Sequence, residues 1–300
     1  MAGAFTTVNL SQLPAPGVVE TLDYEAILAS MLADLQARDT AFTALVESDP
    51  AYKVLEVAAY RELLLRQRVN DAARSVMLAF ATGSDLDQIG ANYSVQRLVM
   101  DPGDPAAVPP VEPTYESDDD FRARIQLSPE GYTTAGSEGS YVFHGLGADA
   151  DVKDIQAVSP TAGAVTVYVL SRTGNGAASA PLLAAVDAVL NADTVRPMTD
   201  NVTVLSASIV NYTITAQLVM YPGPDATVVR EAALAAVTAY AEAQRRIGYD
   251  VTLSGIYAAL HQPGVQRVNL TAPTANLTIS NGQASYCTAI TVTVASGTDV

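Results

Sequence analysis

The sequence predicts an α+β protein in which an N-terminal long-helix hairpin is followed by two small α+β sandwich modules. Three observations favour this class: two long segments with apolar residues at helical spacing, a proline-rich stretch, and a remainder in which strand and helix patterns alternate. The 300 residues, 49% of them hydrophobic, suffice for several domains with their own cores. We expect an N-terminal arm and helical bundle domain (1–97), a Pro-rich linker or loop (98–115), a first α+β module (116–206) and a second (207–300).

The helical hairpin is predicted from two heptad patterns. Residues 22–47 and residues 51–81 carry apolar side chains at alternating spacings of three and four, interrupted at Arg38 in the first segment and at Glu62 in the second. Pro50 lies between the segments and cannot continue a helix from the residues before it. The two segments therefore predict a pair of antiparallel helices.

The second of these helices carries more apolar surface than one neighbouring helix can cover. Val57, Tyr60 and Leu64 form a further stripe beside the heptad stripe. A helix with such a broad apolar face needs at least two neighbours. The rest of this chain can supply them, or another subunit can, and the pattern alone leaves both possibilities open.

Two short segments follow the hairpin. Residues 82–97 predict a new helix capped by Ser84 or Asp85. The next stretch holds five prolines within residues 102–113, so we expect it to lack regular structure and to form a semi-rigid spacer or an exposed loop. The domain boundary is placed there.

The segment "ESDDDFRARIQL" begins another short helix. Ser117 followed by three aspartates, Asp118, Asp119 and Asp120, is typical of a helix N-terminus, where the helix dipole favours acidic side chains. Three adjacent carboxylates could also suggest a metal site, but we favour the cap.

The remaining residues contain the same kinds of element twice, in permuted order. Period-two apolar alternation marks the strands and a period of 3.6 marks the helices. The first set reads helix, strand, strand, helix, strand over residues 137–146, 151–158, 164–170, 180–192 and 200–207. The second set reads strand, helix, helix, strand, strand over residues 212–220, 226–247, 253–262, 264–270 and 288–294. Two sheets, each covered by two helices, follow from this pattern.

Composition argues against several classes of partner and compartment. The formal net charge of -16 repels nucleic-acid backbones and anionic lipid. We expect no membrane insertion, because no run of about 18 apolar residues occurs, and no secretory signal, because no basic residue precedes an apolar run at the N-terminus. Cys287 is the single cysteine, which rules out an internal disulfide and a multi-cysteine metal site and suits synthesis in a reducing cytoplasm.

No pattern of catalytic residues stands out, so we expect no enzyme activity, no metal and no cofactor. His144 and His261 occupy corresponding places in the two sets and are interpreted as structural. Gly174 and Gly176 precede a helix and superficially suggest a phosphate-binding loop, but Ser179 replaces the third glycine of the dinucleotide pattern. A nucleotide-dependent enzyme is therefore the weakest alternative.

Four stretches carry a resemblance to a known family. They are the segment from 51 to 91, "LSQLPAP" at 10–16, "ESDDDFRARI" at 116–125 and "VRPMTDNVTV" at 195–204. Together they resemble the baseplate J-like proteins of contractile phage tails and R-type bacteriocins. The similarity extends over nearly the whole chain, and the long helix with its trailing "GSDLDQIGA" is its most specific part.

The resemblance implies a structural subunit of a baseplate wedge, in a virion or bacteriocin particle assembled in the bacterial cytoplasm. In that family two J-like copies join a smaller wedge protein, and six wedges form a ring around the hub. The ring is thought to widen like an iris and signal to the sheath, so hub and sheath-initiating proteins are further expected partners. The family fixes no catalytic residue. Another tail-assembly or peripheral adaptor protein is the alternative.

The resemblance also assigns a role to the second helix, whose excess apolar surface would be covered by a second copy and by the smaller wedge protein. Packing within the chain remains the alternative for each position. The candidate interface residues are Leu55, Tyr60, Leu64, Leu65, Val69, Val76 and Phe80. The candidates for interhelical ion pairs, which would set the register, are Arg61, Arg66, Arg68 and Arg74.

Overall fold

The computed structural model describes residues 8–133, 135–223 and 225–295, so the first seven residues of the expected arm and the last five of the chain lie outside it. These residues form two compact units. The helical unit comprises residues 8–97 and 117–125, and the sheet unit comprises residues 98–116 and 126–295. Both α helices and β strands are present, in agreement with the α+β class.

The helical unit begins with an antiparallel hairpin of α1 (Tyr24–Arg38) and α2 (Pro50–Ser75), whose core contains Ile27, Leu28 and Ala59. The expectation of a first helix extending to residue 47 was wrong. Asp39 ends α1 in an extended conformation and its carboxylate accepts a hydrogen bond from the Ala41 N–H, which starts a 3₁₀ turn instead. The second helix likewise ends at Ser75, before residue 81.

The third helix, α3 (Gly83–Asn92), begins one residue earlier than its expected cap. Its N-cap is Thr82, so the expected cap at Ser84 or Asp85 was wrong. The Gly83 N–H is bonded instead by the carboxylate of Asp118, at 3.2 and 3.3 Å. An acidic side chain from a different helix thus satisfies this donor at the N-terminus of α3.

The fourth helix, α4 (Asp118–Leu127), lies mostly in the helical unit, whereas the sequence predicts it in the first α+β module, residues 116–206. Phe121 is fully buried and lies against Gly90 of α3. The Arg122 guanidinium donates to the carbonyls of Leu78 and Ala81, each at 2.8 Å. These tertiary contacts, which a local pattern does not reveal, draw residues 117–125 towards α3.

The expected linker, residues 98–115, has a short strand near each end. Strands β1 (Val99–Asp101) and β2 (Thr114–Tyr115) pair antiparallel, and Asp104 and Val111 exchange two backbone hydrogen bonds of 2.9 Å between them. Residues 102–113, which hold the five prolines, form no helix or strand and are mostly exposed, as expected for an exposed loop. The prolines lie between the paired positions, where their missing N–H costs no ladder bond.

The first sandwich contains α5 (Glu138–Leu146), β3 (Val152–Thr161), β4 (Ala164–Ser171), α6 (Ala180–Leu190) and β5 (Asn201–Ser206). Its sheet has the order β3-β4-β5, with β3 antiparallel and β5 parallel to the central strand. Side chains of both helices and all three strands form one core.

The second sandwich contains β6 (Ser208–Met220), α7 (Ala226–Ala243), α8 (Leu253–Leu260), β7 (Val265–Ala272) and β8 (Gln283–Val294). Its sheet has the order β7-β6-β8, again with one antiparallel and one parallel neighbour beside the central strand. A helix precedes the antiparallel strand in both sandwiches, and a helix follows the central strand in both. The permuted duplication is thus visible in the topology. Among the described helices, none combines the length and apolarity that a bilayer span requires.

Candidate assembly interface

One side of α2 is used within the chain. Ala59 is fully buried against α1, and Leu55 and Leu63 pack against the same cluster. Asn70 is also buried, where its amide donates to the Glu20 carbonyl at 2.9 Å and accepts from the Glu20 N–H at 3.0 Å. At about 100° per residue these four α2 residues share one side of the helix, so α1 and the segment before it cover that side.

The opposite side of α2 is exposed and largely apolar. Its apolar side chains range from 42% exposed at Leu64 to 68% at Val54 and Leu65. We define the outer face of α2 by the residues that follow this side: Val54, Val57, Tyr60, Arg61, Leu64, Leu65, Arg68 and Val69. Exposed apolar residues normally scatter singly, whereas a continuous apolar surface marks an interaction site.

The candidate interface residues divide between the two sides. Tyr60, Leu64, Leu65 and Val69 lie on the outer face. Leu55 packs against the α1 cluster, so the intrachain alternative applies to it.

The last two apolar candidates lie beyond the helix. Val76, which is 73% exposed, and Phe80, which is partly buried, belong to the turn after α2. They are therefore outside the outer face as defined, although Val76 is accessible to a partner.

Val54 was missed, and Val57 was noted in a stripe without being chosen as a candidate. Both are exposed on the outer face. Four of the candidates, Leu55, Leu65, Val69 and Val76, lie on the heptad stripe, which runs along the border between the two sides of α2. The small residue Ala59 was the available signal, because a helix that approaches closely favours a small side chain at the contact.

The four candidate arginines also differ in their surroundings. Arg66 is paired within the chain, with Glu62 at 2.7 Å and Glu20 at 3.0 Å. Arg61 and Arg68 are exposed on the outer face, and within the described residues neither forms an ion pair. Arg74 is exposed in the last turn of α2.

The loop with Gly174 and Gly176 serves as a contact between the sandwiches. The Arg245 guanidinium, from the second sandwich, donates to the Gly174 carbonyl at 3.0 Å. The N-terminus of α6 is capped by its own Ser179, whose hydroxyl accepts from the Leu182 N–H. A loop that presents a carbonyl to an arginine and a helix already capped are both poorly suited to cradling a phosphate.

The aspartates at the start of α4 take part in its cap and in ion pairs, since Asp119 pairs with Arg122 at 2.6 Å. Ser117 accepts from the Asp120 N–H at 3.2 Å, which confirms the expected cap. Asp118 pairs with Arg97 at 2.8 Å. Partial burial opposes ionisation, but the Gly83 N–H and the Arg97 guanidinium outweigh it and lower the pKa of Asp118. Among the residues that the structure covers, no group of three or more His, Cys, Asp and Glu side chains could hold a metal ion.

The two histidines lie at the ends of corresponding helices. His144 is in the last turn of α5, in edge-to-face contact with Phe143, and burial lowers its pKa. His261 directly follows α8. Each precedes an antiparallel strand, β3 or β7, so their positions follow the duplication.

Comparisons with known proteins match this chain to baseplate J-like proteins along most of its length. The chain matches the baseplate J-like N-terminal domain over residues 47–104, the baseplate J-like central domain over 133–206 and the baseplate J-like protein C-terminal domain over 212–293. It is 52% identical to baseplate protein J of Escherichia phage P2 over 299 residues, which cover 97% of this chain and 99% of that protein.

A solved structure is also similar. A chain of the anti-feeding prophage (AFP) baseplate, from a 6-fold symmetrised cryo-EM structure, is 16% identical with a TM-score of 0.41. The similarity covers 61% of this chain and 44% of that chain, so the match spans less than half of the neighbour's length.

Proposed function

This chain belongs to the baseplate J-like family, and we propose that it is a structural subunit of the baseplate wedge in a contractile tail. It is a component of the tail baseplate, and its role there is to hold neighbouring proteins together. In the proposed wedge, two copies join a smaller wedge protein through their helical units. Six wedges then surround the hub and relay the trigger for contraction to the sheath.

The observation that supports this proposal is the outer face of α2. Six apolar side chains on one exposed side of a single helix are unfavourable in water, at roughly 25 cal/mol per Å² of apolar surface. Helix α1 already covers one side of α2. An additional helix from another chain could therefore bury the outer face while α1 stays in place.

The sandwiches are the proposed source of contacts between wedges. They present exposed apolar side chains of their own, at Leu205, Tyr221, Val228 and Tyr257. A ring subunit needs one surface for assembly within the wedge and a second for its neighbour around the ring. The helical unit and the sandwiches would divide these two tasks.

The experiment is a Leu65→Asp variant of the full chain, co-expressed with the smaller wedge protein. Leu65 is 68% exposed, so the substitution costs the isolated chain little, whereas in the complex it places a carboxylate in an apolar contact. Gel filtration with light scattering should show a wild-type complex that contains two copies of this chain, and loss of that complex in the variant. Circular dichroism should show that both proteins remain folded.

Val46→Asp provides the matched control. Val46 is 57% exposed in the turn between α1 and α2 and lies off the outer face, so this variant should assemble normally. The proposal fails if the wild-type chain stays monomeric with the smaller wedge protein, or if Leu65→Asp assembles as well as Val46→Asp.

A further inference from the structure

A cleft lies within the sheet unit, between the hairpin of β1 and β2 and the first sandwich. Its volume is about 420 Å³. Residues 98–100 form one wall, and the turn at 148–151 forms the other together with Arg172 and Thr173. A cleft of this size can hold a few residues of an extended peptide. All its lining residues belong to the sheet unit, so it shares none with the outer face of α2.

One edge of β1 is unpaired. Val99 lies directly opposite Tyr115 of β2, and beside this pair the Glu116 N–H donates to the Leu98 carbonyl at 3.0 Å. In an antiparallel ladder this bond makes Val99 and Tyr115 a non-hydrogen-bonded pair, so the N–H and carbonyl of Val99 point away from β2. Within the described residues neither group has a hydrogen-bond partner. Strand β1 therefore presents a donor and an acceptor to an additional strand.

The unpaired edge and the cleft lie on the same side of β1, because residues 98–100 line the cleft and neither residue of β2 does. Val99 is 47% exposed there and Met100 is 39% exposed. A strand that entered the cleft would therefore bond to the Val99 backbone and cover apolar side chains of β1.

The walls of the cleft are mainly acidic. Asp149 and Asp151 lie on the sandwich wall, and the hairpin, residues 98–115, contains three carboxylates and no basic residue. Among the described residues that line the cleft, Arg172 is the one cation, and its Nε donates to the Ala150 carbonyl at 3.0 Å within its own wall. The cleft therefore favours a cationic ligand.

Asp149 has a carboxylate oxygen available for such a ligand. Its Oδ1 accepts from the Asp151 N–H at 2.8 Å, and in the described part of the chain its Oδ2 has no partner. Asp151 is occupied, since it accepts from the Ser171 hydroxyl at 2.7 Å and from the Thr173 N–H at 3.2 Å. These bonds fix the turn that carries Asp149. A cation that enters the cleft meets this carboxylate in a preformed position.

We propose that the cleft binds an extended segment of another protein, which adds to β1 as a strand and places a lysine or arginine beside Asp149. The Val99 backbone pairs with the added strand, and Asp149 selects its charge. A second copy of this chain is a poor source of the segment, because its formal net charge is -16. The inference goes beyond the proposed function, which assigns no ligand to this cleft.

The test uses the full isotope-labelled chain and synthetic peptides. The probe is the capped peptide Val-Lys-Val-Lys-Val, and the matched control has glutamate in place of lysine. The lysine peptide should shift the amide resonance of Val99 in NMR spectra and slow its hydrogen exchange, and high salt should weaken its binding. The glutamate peptide should bind at least tenfold more weakly. A lysine peptide methylated at every backbone nitrogen cannot donate to β1 and should also lose at least tenfold in affinity.

Two variants of the chain test the charge selection. Asp149→Asn keeps an oxygen that accepts from the Asp151 N–H but removes the charge, so it should bind the lysine peptide at least threefold more weakly than the wild type. Asp193→Asn makes the same change in net charge at an exposed position that does not line the cleft, and it should bind the peptide as the wild type does.

The inference is overturned if the lysine and glutamate peptides bind equally, if the methylated peptide binds as well as its parent, or if no peptide moves the Val99 resonance at millimolar concentration. Equal binding by Asp149→Asn and Asp193→Asn also overturns it. A Val99 resonance that shifts with protein concentration alone does so too, since a second copy is then the occupant. None of these results alters the association measured for Leu65→Asp, so the cleft and the proposed wedge contact are tested separately.

Discussion

Replacement of Gln156 by alanine should weaken the sheet unit far more than an ordinary surface substitution. Gln156 is a 6% exposed residue of β3 whose side chain reaches the second sandwich. Its Oε1 accepts from the buried Gly282 N–H at 2.8 Å, and its Nε2 donates to Asn281 Oδ1 at 3.2 Å. Both partners lie in the turn before β8, so one amide side chain joins two sandwiches.

The expected loss can be worked out from these contacts. Gln156→Ala leaves the Gly282 N–H without its acceptor in a buried position, which costs about 1–3 kcal/mol. The removed methylene adds roughly 0.8 kcal/mol of lost burial. We therefore expect the free energy of unfolding to fall by about 2–4 kcal/mol, which for a unit of this size lowers Tm by about 4–16 °C.

The assay is urea unfolding followed by circular dichroism, together with hydrogen exchange at the Gly282 amide. Gln67→Ala is the matched control, because Gln67 is exposed on α2 and makes a single hydrogen bond to Asp71. That variant should change the free energy of unfolding by less than about 0.5 kcal/mol. If the two variants lose equal stability, or if Gly282 stays protected in Gln156→Ala, the bridging role assigned to Gln156 is refuted.

Two more predictions concern pH and packing. Burial raises the pKa of Asp154 above its ordinary 3.8, outweighing the bond from the Ile247 N–H, so the folded state holds this proton more tightly than the unfolded state does. As pH falls from the raised pKa towards 3.8, wild type should therefore gain stability relative to Asp154→Asn, and a pH-independent difference in their urea midpoints would contradict this account. Gly90→Ala should lower the free energy of unfolding of the helical unit by several kcal/mol, as overpacking a core does, because a Cβ would lie 2.4 Å from Phe121 Cζ. Gly17→Ala, with nothing within 4 Å of its Cβ position, should leave the Tm unchanged, and equal losses in the two variants would exclude that clash.

The sandwiches could be predicted because their signals are local. The helix expected at 180–192 is observed as Ala180–Leu190, and the strand expected at 164–170 as Ala164–Ser171. Each depends on a hydrophobic period within the element itself. The end of α1 is determined by Asp39, whose side chain accepts a hydrogen bond from the Ala41 N–H and so competes with the helical backbone bonds.

Other features depend on contacts distant in sequence. The assignment of α4 to the helical unit follows from Phe121 against Gly90, and the contact between sandwiches joins Gln156 to a turn 126 residues away. No period in the sequence encodes either contact. The outer face of α2 was only partly predicted for a similar reason, since two apolar stripes lay side by side and the position of α1 decides which side stays exposed.

The junction between the sandwiches has a mechanical consequence. Strand β5 ends at Ser206 and β6 begins at Ser208, so Ala207 alone separates an edge strand of one sheet from the central strand of the next. The Ala207 N–H is bonded to the Val169 carbonyl at 2.9 Å, and the Ser208 N–H to the Gly282 carbonyl at 2.8 Å. A force applied to either sandwich is therefore transmitted directly to the other. If the subunit rotates when the tail contracts, we expect the hinge at a position other than Ala207.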